Sequence, residues 1–319
     1  MTGIRVLQLT SSMEPFFRQQ VDVLEEHGVD CTTLPVPGTA RGDESRNVRN
    51  YAKFYRRTIA ECRNDYDLVH VNYGLIGPIG LAQPIRPVVL TLWGSEVMGY
   101  SSPVDRLSRF AARRSDAVIA PSVAVSERLD CSHRVVPFGV DLDLFKPIDR
   151  REAREYLGWS QNDRIVLFPY DPGRTVKNHA LARSVIDRTS VNAELKTVSG
   201  LPYHEMPYVM NACDAVLVTS RRESGPMVVR EAAACNVPVV STDVGFVSET
   251  LENVENSYVT DAESELVEAV DSVLRSVGRS NGREIVEQYD TERMGSELLS
   301  VYVDALDGES SDPRRVEPN

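Results

Sequence analysis

The residues best suited to chemistry fall in SRRESGPMVVREAAACNVPVVSTDVG, residues 220–245. Glu223 stands just before Ser224-Gly225-Pro226, and Glu231 follows with seven residues between. A carboxylate on a loop accepts hydrogen bonds from sugar hydroxyls, and one inside the following helix can hold a ribose diol. Pro226 suits a first helical turn, whose free N–H groups favour an anion. The small run Ala232–Ala234 lets that helix lie close to a sheet. Taken alone, the segment is also compatible with a plain βαβ unit carrying two surface glutamates.

A second group lies earlier, in FPYDPGRTVKNHALA, residues 168–182. Arg174 and Lys177 follow a strand-like run and an Asp171-Pro172-Gly173 turn, at the mouth of a helix. Two cations at a strand end suit a leaving diphosphate, because they offset the charge that grows as its bond to the sugar breaks. They would do this without a metal.

These residues need elements to position them. Strand-like runs at Ile4–Thr10, Val29–Leu34, Asp67–Asn72, Val88–Leu92, Ala117–Ala120 and Val135–Pro137 alternate with helical stretches near 14–27, 43–64, 103–115 and 122–130. A second series has strands at Ile165–Tyr170, Glu194–Ser199, Ala215–Ser220, Pro238–Thr242 and Tyr258–Thr260. Its helices fall near 150–157, 177–189, 204–212, 226–235 and 262–278. Short β-branched strands alternating with helices predict parallel sheets covered on both faces, and two series predict two doubly wound α/β domains. Ligands of such sheets sit at the carboxyl ends of the strands, where both candidate groups fall. GVDLDLFKP, residues 139–147, reads as the linker.

On these segments the chain resembles the family-4 retaining glycosyltransferases, over about residues 4–305. The resemblance rests on the Glu-x7-Glu pattern, the Arg174/Lys177 pair before it, GVDLDLFKP, and LPYHEMPYVMNACDAVLVTS. The first half adds LVHVNYGLIGPIG and VVLTLWGSEVMG. It implies a GT-B fold, two Rossmann-like doubly wound domains facing a central cleft. The first would span 1–143, with a helix at about 291–306 crossing back to it, and the second 144–290. Residues 307–319 are expected to lack structure. The implied donor is a nucleotide-diphosphate sugar, with no metal or further cofactor. Glu223 would meet the donor sugar's hydroxyls, Gly225, Pro226 and Met227 would line its pocket, and Glu231 would hold the ribose. Arg174 and Lys177 would clamp the diphosphate. Tyr73, Gly74, Trp93, Gly94 and Glu96 would face a glycan or lipid-linked acceptor. The sequence departs from the family pattern twice. Trp93 stands where a histidine is usual, and Thr10-Ser11-Ser12 replaces a Gly-Gly loop, leaving Ser12 to donate its hydroxyl to phosphate.

Composition narrows the classes. The 319 residues are 42% hydrophobic and 26% charged, as expected of a packed globular protein, with a net charge of −12. Residues 1–145 hold 16 Lys+Arg against 17 Asp+Glu, and 146–319 hold 19 against 30. The acidic balance and the absence of aromatic-basic strands argue against nucleic acid. Basic clusters at Arg46, Arg49, Lys53, Arg56, Arg57 and Arg63, and at Arg106, Arg109, Arg113 and Arg114, suit either a solvated helix face or peripheral contact with anionic lipid. Five scattered cysteines without a Cys-x-x-Cys pair, and a start lacking a leader pattern, lead us to expect a cytoplasmic protein, at most peripheral at the inner membrane face. The histidines lack ligand spacing, and Asp141-x-Asp143 lies inside the linker, so no metal site is expected. No dinucleotide fingerprint or phosphate-binding loop is present. Two other readings stay open: a nucleotide-sugar epimerase on the same fold, and a catalytically silent GT-B partner protein.

Overall fold

The computed structural model describes residues 3–38, 46–99, 102–276, 278–308 and 315–316. Contacts within the chain separate two units, 1–139 with 291–319, and 140–290. The boundary lies inside the breaker-rich segment, slightly before the 143/144 division expected from the sequence.

The first unit contains β1 (Arg5–Thr10), α1 (Pro15–Glu26), β2 (Asp30–Pro35), α2 (Val48–Glu61), β3 (Leu68–Asn72), α3 (Gly77–Ala82), β4 (Val88–Thr91), α4 (Ser102–Ala112), β5 (Ala117–Ala120), α5 (Val123–Ser126) and β6 (His133–Val135). The second contains α6 (Arg150–Leu157), β7 (Ile165–Phe168), α7 (His179–Arg188), β8 (Glu194–Thr197), α8 (Met206–Ala212), β9 (Ala215–Val218), α9 (Met227–Ala234), β10 (Val239–Ser241), α10 (Val247–Leu251), β11 (Tyr258–Val259), α11 (Glu263–Arg275) and α12 (Gly282–Val286). The chain then returns to the first unit with α13 (Thr291–Asp307) and β12 (Arg315–Val316). Among the described residues the first sheet runs β12-β6-β5-β4-β3-β1-β2 and the second β11-β10-β9-β7-β8. Pairing is parallel throughout except at β12.

Alternation along each strand explains the layers, because successive side chains point to opposite faces. In β7, Ile165 and Leu167 join one cluster with α8 and α9, while Val166 and Phe168 join another with α7 and α11. In the first unit Val69 and Val71 pack beneath Phe54 of α2 and Ala111 of α4. Leu68 and Val6 face Val23 and Leu24 of α1 and Met294, Leu298 and Val301 of α13. A buried polar chain crosses that second layer. His70 Nδ1 lies 2.7 Å from the Tyr302 hydroxyl and His70 Nε2 lies 2.7 Å from Thr91 Oγ1. Gln8 donates to the Tyr302 hydroxyl at 3.1 Å, Asn72 to Gln8 at 2.9 Å, and Gln20 to Asn72 at 2.9 Å. Burial drives the His70 pKa down to about 3, so the ring is neutral.

Several elements differ from expectation. The helix expected at 122–130 is confined to Val123–Ser126, where Ser126 Oγ lies 2.7 Å from His133 Nε2. The strand expected at 135–137 lies at His133–Val135, since Pro137 has no N–H for a ladder. Asn178, at φ 55°, separates α7 from a 3-10 turn over Thr175–Lys177, so Lys177 precedes the helix instead of opening it. The first-half helix expected at 43–64 runs Val48–Glu61, and residues 43–45 lie outside the described ones. Of the terminal stretch expected to lack structure, Arg315–Val316 pair antiparallel with β6, while 309–314 and 317–319 lie outside the described residues. Among the described residues no helix is long and apolar enough to cross a membrane.

Candidate active site

In the second unit the chain leaves β7 toward β8 on one side and returns to β9 on the other. The carboxyl ends of β7 and β9 therefore flank a topological switch point, where open α/β sheets leave a crevice. Arg174 and Lys177 follow β7, and Glu223 follows β9. Three hydrogen bonds stitch the loops together. Thr219 Oγ1 donates to the carbonyls of Lys177 and Asn178 at 3.2 and 3.1 Å, and the Arg221 N–H donates to Val176 at 2.9 Å.

Across this seam Lys177 Nζ forms an ion pair with Glu223 Oε1. The lysine side chain is 6% exposed and the glutamate 16%. Ser220 donates its hydroxyl to the same oxygen at 2.8 Å, and the ammonium lies 3.7 Å from the centroid of the Tyr170 ring. Burial drives the Tyr170 hydroxyl pKa well above its ordinary range; the charges of Glu223 and Glu231 add to this and that of Arg174 opposes it. Tyr170 is thus within electrostatic reach of all three. Arg174 has its Nε enclosed without a hydrogen-bond partner among the described residues, a donor with its capacity unused.

Glu231, on α9, is buried and accepts a hydrogen bond from the Tyr203 hydroxyl at 2.7 Å. Desolvation raises its pKa to about 7, and the Tyr203 bond pulls it partly back. Gly225 sits between Glu223 and α9 because no larger residue fits: a Cβ there would overlap the Phe246 ring. A Cβ on Gly245, at φ 61°, would lie 2.8 Å from the Ser224 carbonyl carbon. Phe246 is itself backed by the Arg230 guanidinium at 3.9 Å, which stacks on Tyr289 at 3.8 Å. Pro226 precedes α9 and Met227 opens it, with no side chain capping the first turn. Tyr170, Tyr203, Ser220 and Phe246 were not singled out from the sequence. Tyr170, ending its expected strand beside Asp171-Pro172-Gly173, and Ser220, ending the one before Glu223, offered a positional hint.

The first unit repeats the topology, with the switch point between β1 and β3. Tyr73 follows β3 at φ 110°, a region that costs a side-chain-bearing residue energy. The buried Glu96 carboxylate accepts from the Gly74 N–H at 3.0 Å and the Trp93 N–H at 2.8 Å, tying the loops after β3 and β4 together. Burial raises the Glu96 pKa, and these bonds oppose the rise. Tyr73 and Phe16 flank Trp93 at 5.6 and 4.8 Å between centroids, and Phe138 follows 4.8 Å beyond Phe16. Gly94, at φ 98°, makes the turn after Trp93. The Trp93 indole N–H is enclosed without a partner among the described residues. Ser12 donates its hydroxyl to Glu14 at 3.0 Å, so that hydroxyl is engaged within its own turn. Asp141 caps its own turn by accepting from the N–H groups of Asp143 and Leu144.

Comparison with known proteins finds relatives of both units. Residues 177–289 match the family model of glycosyl transferases group 1, and residues 3–144 that of glycosyltransferase family 4. The chain is 24% identical over 299 residues to the N-acetyl-alpha-D-glucosaminyl L-malate synthase of Bacillus anthracis, covering 76% of each. It is 27% identical over 272 residues to the D-inositol 3-phosphate glycosyltransferase of Mycobacterium tuberculosis, covering 68% of this chain and 56% of that protein. Sucrose-phosphate synthase from Thermosynechococcus elongatus superposes with a TM-score of 0.74 at 18% identity, over 96% of this chain and 100% of that one. Anabaena HepE in complex with UDP and glucose does so at 0.72 and 18%, over 94% and 100%. With one family model matching each of its two Rossmann-like domains, the chain belongs to the group 1/family 4 glycosyltransferases and has their GT-B fold.

Proposed function

We propose that the chain moves a sugar from a nucleotide-diphosphate sugar to an acceptor hydroxyl, with retention at the anomeric carbon and without a metal. The observation that carries this is the Lys177–Glu223 ion pair against the Tyr170 ring at the switch point of one sheet, with Arg174 on the loop that bears Lys177 and Glu231 on the helix that follows Glu223. Glu231 takes the ribose diol, Arg174 and Lys177 take the diphosphate, and Glu223 takes sugar hydroxyls above Gly225, Pro226 and Met227. The acceptor hydroxyl adds to the anomeric carbon on the face the diphosphate leaves. The bond to the diphosphate oxygen breaks, its electron pair stays on that oxygen, and the acceptor's proton passes to it. The two cations stabilise the charge that develops there. Solved neighbours named as complexes with UDP and glucose together and with UDP-glucose support a nucleotide-sugar donor. Tyr73, Gly74, Trp93, Gly94 and Glu96 receive a glycan or lipid-linked acceptor in this reading. The test is a thermal-shift screen of nucleoside diphosphates and their sugars, since a ligand of the native state raises the melting point. A panel in which none stabilises the chain would remove the proposal.

A second reading, compatible with the first, concerns α2. Arg49, Lys53, Arg56, Arg57 and Arg63 are all exposed on it or just beyond it, beside exposed Val48 and Tyr55, and none has an ion-pair partner among the described residues. We propose peripheral contact with anionic lipid through this face. Sedimentation with anionic but not zwitterionic vesicles at low salt is the expected result, and equal recovery with both would refute it.

A further inference from the structure

The cation and the acid assigned to opposite parts of the donor hold each other. Lys177 and Glu223 are both largely buried, and they form an ion pair. Glu223 Oε1 accepts from Lys177 and Ser220 together, and the Tyr170 ring lies against the ammonium. A diphosphate carries more negative charge than a carboxylate, so it draws the ammonium away as it binds. Glu223 then stands in a poorly hydrated place with Ser220 as its remaining described donor. An ionised group left short of donors in such a place costs far more than a satisfied one gains. Sugar hydroxyls restore the missing donors, and a bare nucleoside diphosphate has none to offer.

We infer that the Lys177–Glu223 pair exchanges partners with the donor, and so makes the site prefer a sugar-bearing nucleotide to the nucleoside diphosphate left after transfer. Once the sugar has gone to the acceptor, Glu223 loses its hydroxyls, returns to Lys177, and displaces the diphosphate. Glu223 is therefore a specificity-determining residue for donor over product as well as a contact to the sugar. Arg174 takes no part in the exchange, because among the described residues it forms no ion pair with a carboxylate. The inference rests on the reading that this site holds a nucleotide sugar.

The experiment is calorimetric titration of the full chain with UDP, ADP and GDP and with UDP-glucose, ADP-glucose and GDP-mannose. Glu223→Gln removes the charge. Glu223→Asp keeps it but draws the carboxylate back from Lys177 by one methylene, which weakens the pair. Both variants are expected to bind the preferred nucleoside diphosphate about tenfold more tightly, with a smaller ratio of sugar-nucleotide to nucleotide affinity. Tightening in Glu223→Gln alone would mean simple charge repulsion and would overturn the exchange, as would unchanged affinity in both. Should the variants not fold, the native chain supplies a second measurement. Free glucose or mannose is expected to lower the Kd of the matching nucleoside diphosphate several-fold, by filling the place of the transferred sugar. No coupling with either sugar would overturn the inference. A native chain that bound none of the nucleotides would instead sink the underlying reading, and the exchange with it.

Discussion

Replacing Gly225 with alanine tests how the donor loop is held. The new methyl group would occupy the edge of the Phe246 ring. That ring cannot retreat, because it is 1% exposed and is backed by Arg230, itself 0% exposed and stacked on Tyr289. Gly245, next to Phe246, confines the loop further, since even a Cβ there would overlap the backbone of Ser224 and Gly225. The loop must therefore move out and carry Glu223 with it. Overpacking of this kind costs about 1–3 kcal/mol. At roughly 3 °C per kcal/mol, the melting temperature should fall by about 3–9 °C. A displacement of about 1 Å at the reacting groups should also cut turnover by about 10²-fold. Phe246→Leu makes room for the methyl group, so the double variant should recover part of both losses, a coupling of more than about 0.5 kcal/mol. Melting curves and donor turnover on the four proteins of this cycle are the assay. Native behaviour in Gly225→Ala, or losses that simply add in the double variant, would refute the packing argument.

Three further predictions follow from the same site geometry. Arg174→Ala and Lys177→Ala should each lower turnover by about 10²–10³-fold, as for loss of a preorganised charge partner; single-turnover rates near native would exclude the clamp. Glu231 has its pKa raised to about 7 from 4.5, so a ribose diol that donates to the carboxylate must bind the ionised form. Donor affinity should therefore climb as pH rises through about 7 and level off above it, with proton release measurable by calorimetry below that point. The same shift makes the folded chain lose stability between pH 4.5 and about 7, because the unfolded carboxyl ionises first, and Tyr203→Phe should move the binding midpoint higher. Glu96→Ala strips the acceptor from two backbone N–H groups and should cost roughly 1–3 kcal/mol for each. Glu96→Gln keeps an acceptor oxygen and should cost less; chemical denaturation distinguishes the two, and equal losses would count against the hydrogen bonds as the cause.

Much of the architecture was legible because it is written in short-range pattern. The alternation that sends Ile165 and Leu167 one way and Val166 and Phe168 the other is visible in four letters. So is the placing of Arg174, Lys177 and Glu223 after strand ends, and of Glu231 on the helix that follows. Less legible was anything set by packing between distant segments. Gly77–Ala82 reads GPIGLA, a glycine- and proline-bearing stretch that looks like a turn, yet it forms a helix because Gly77 and Gly80 fit against Ala111 and Val71. The short helices at Val247–Leu251 and Gly282–Val286 give too few residues for a periodic signal. Lys177 was placed in a helix mouth, but the left-handed Asn178 releases it into a turn, where it reaches Glu223. Tyr170 and Tyr203 lie within the segments that carry the resemblance, yet neither has a role in it. Their roles come from where the fold brings the Tyr170 ring against Lys177 and the Tyr203 hydroxyl against Glu231.

The first unit is built from two stretches of chain, and its last helix is more than a cover. Tyr302 closes the hydrogen-bonded line that runs through His70, Gln8 and Asn72 to the strand end before Tyr73. Met294, Leu298 and Val301 fill the layer against Val6 and Leu68. A nascent chain emerging from the ribosome must hold that half-built layer, with His70 and Gln8 awaiting a partner, until the whole 140–290 segment has been made. The amino-terminal half is thus the last to be completed, and a stop codon shortly before Tyr302 would damage the domain synthesised first.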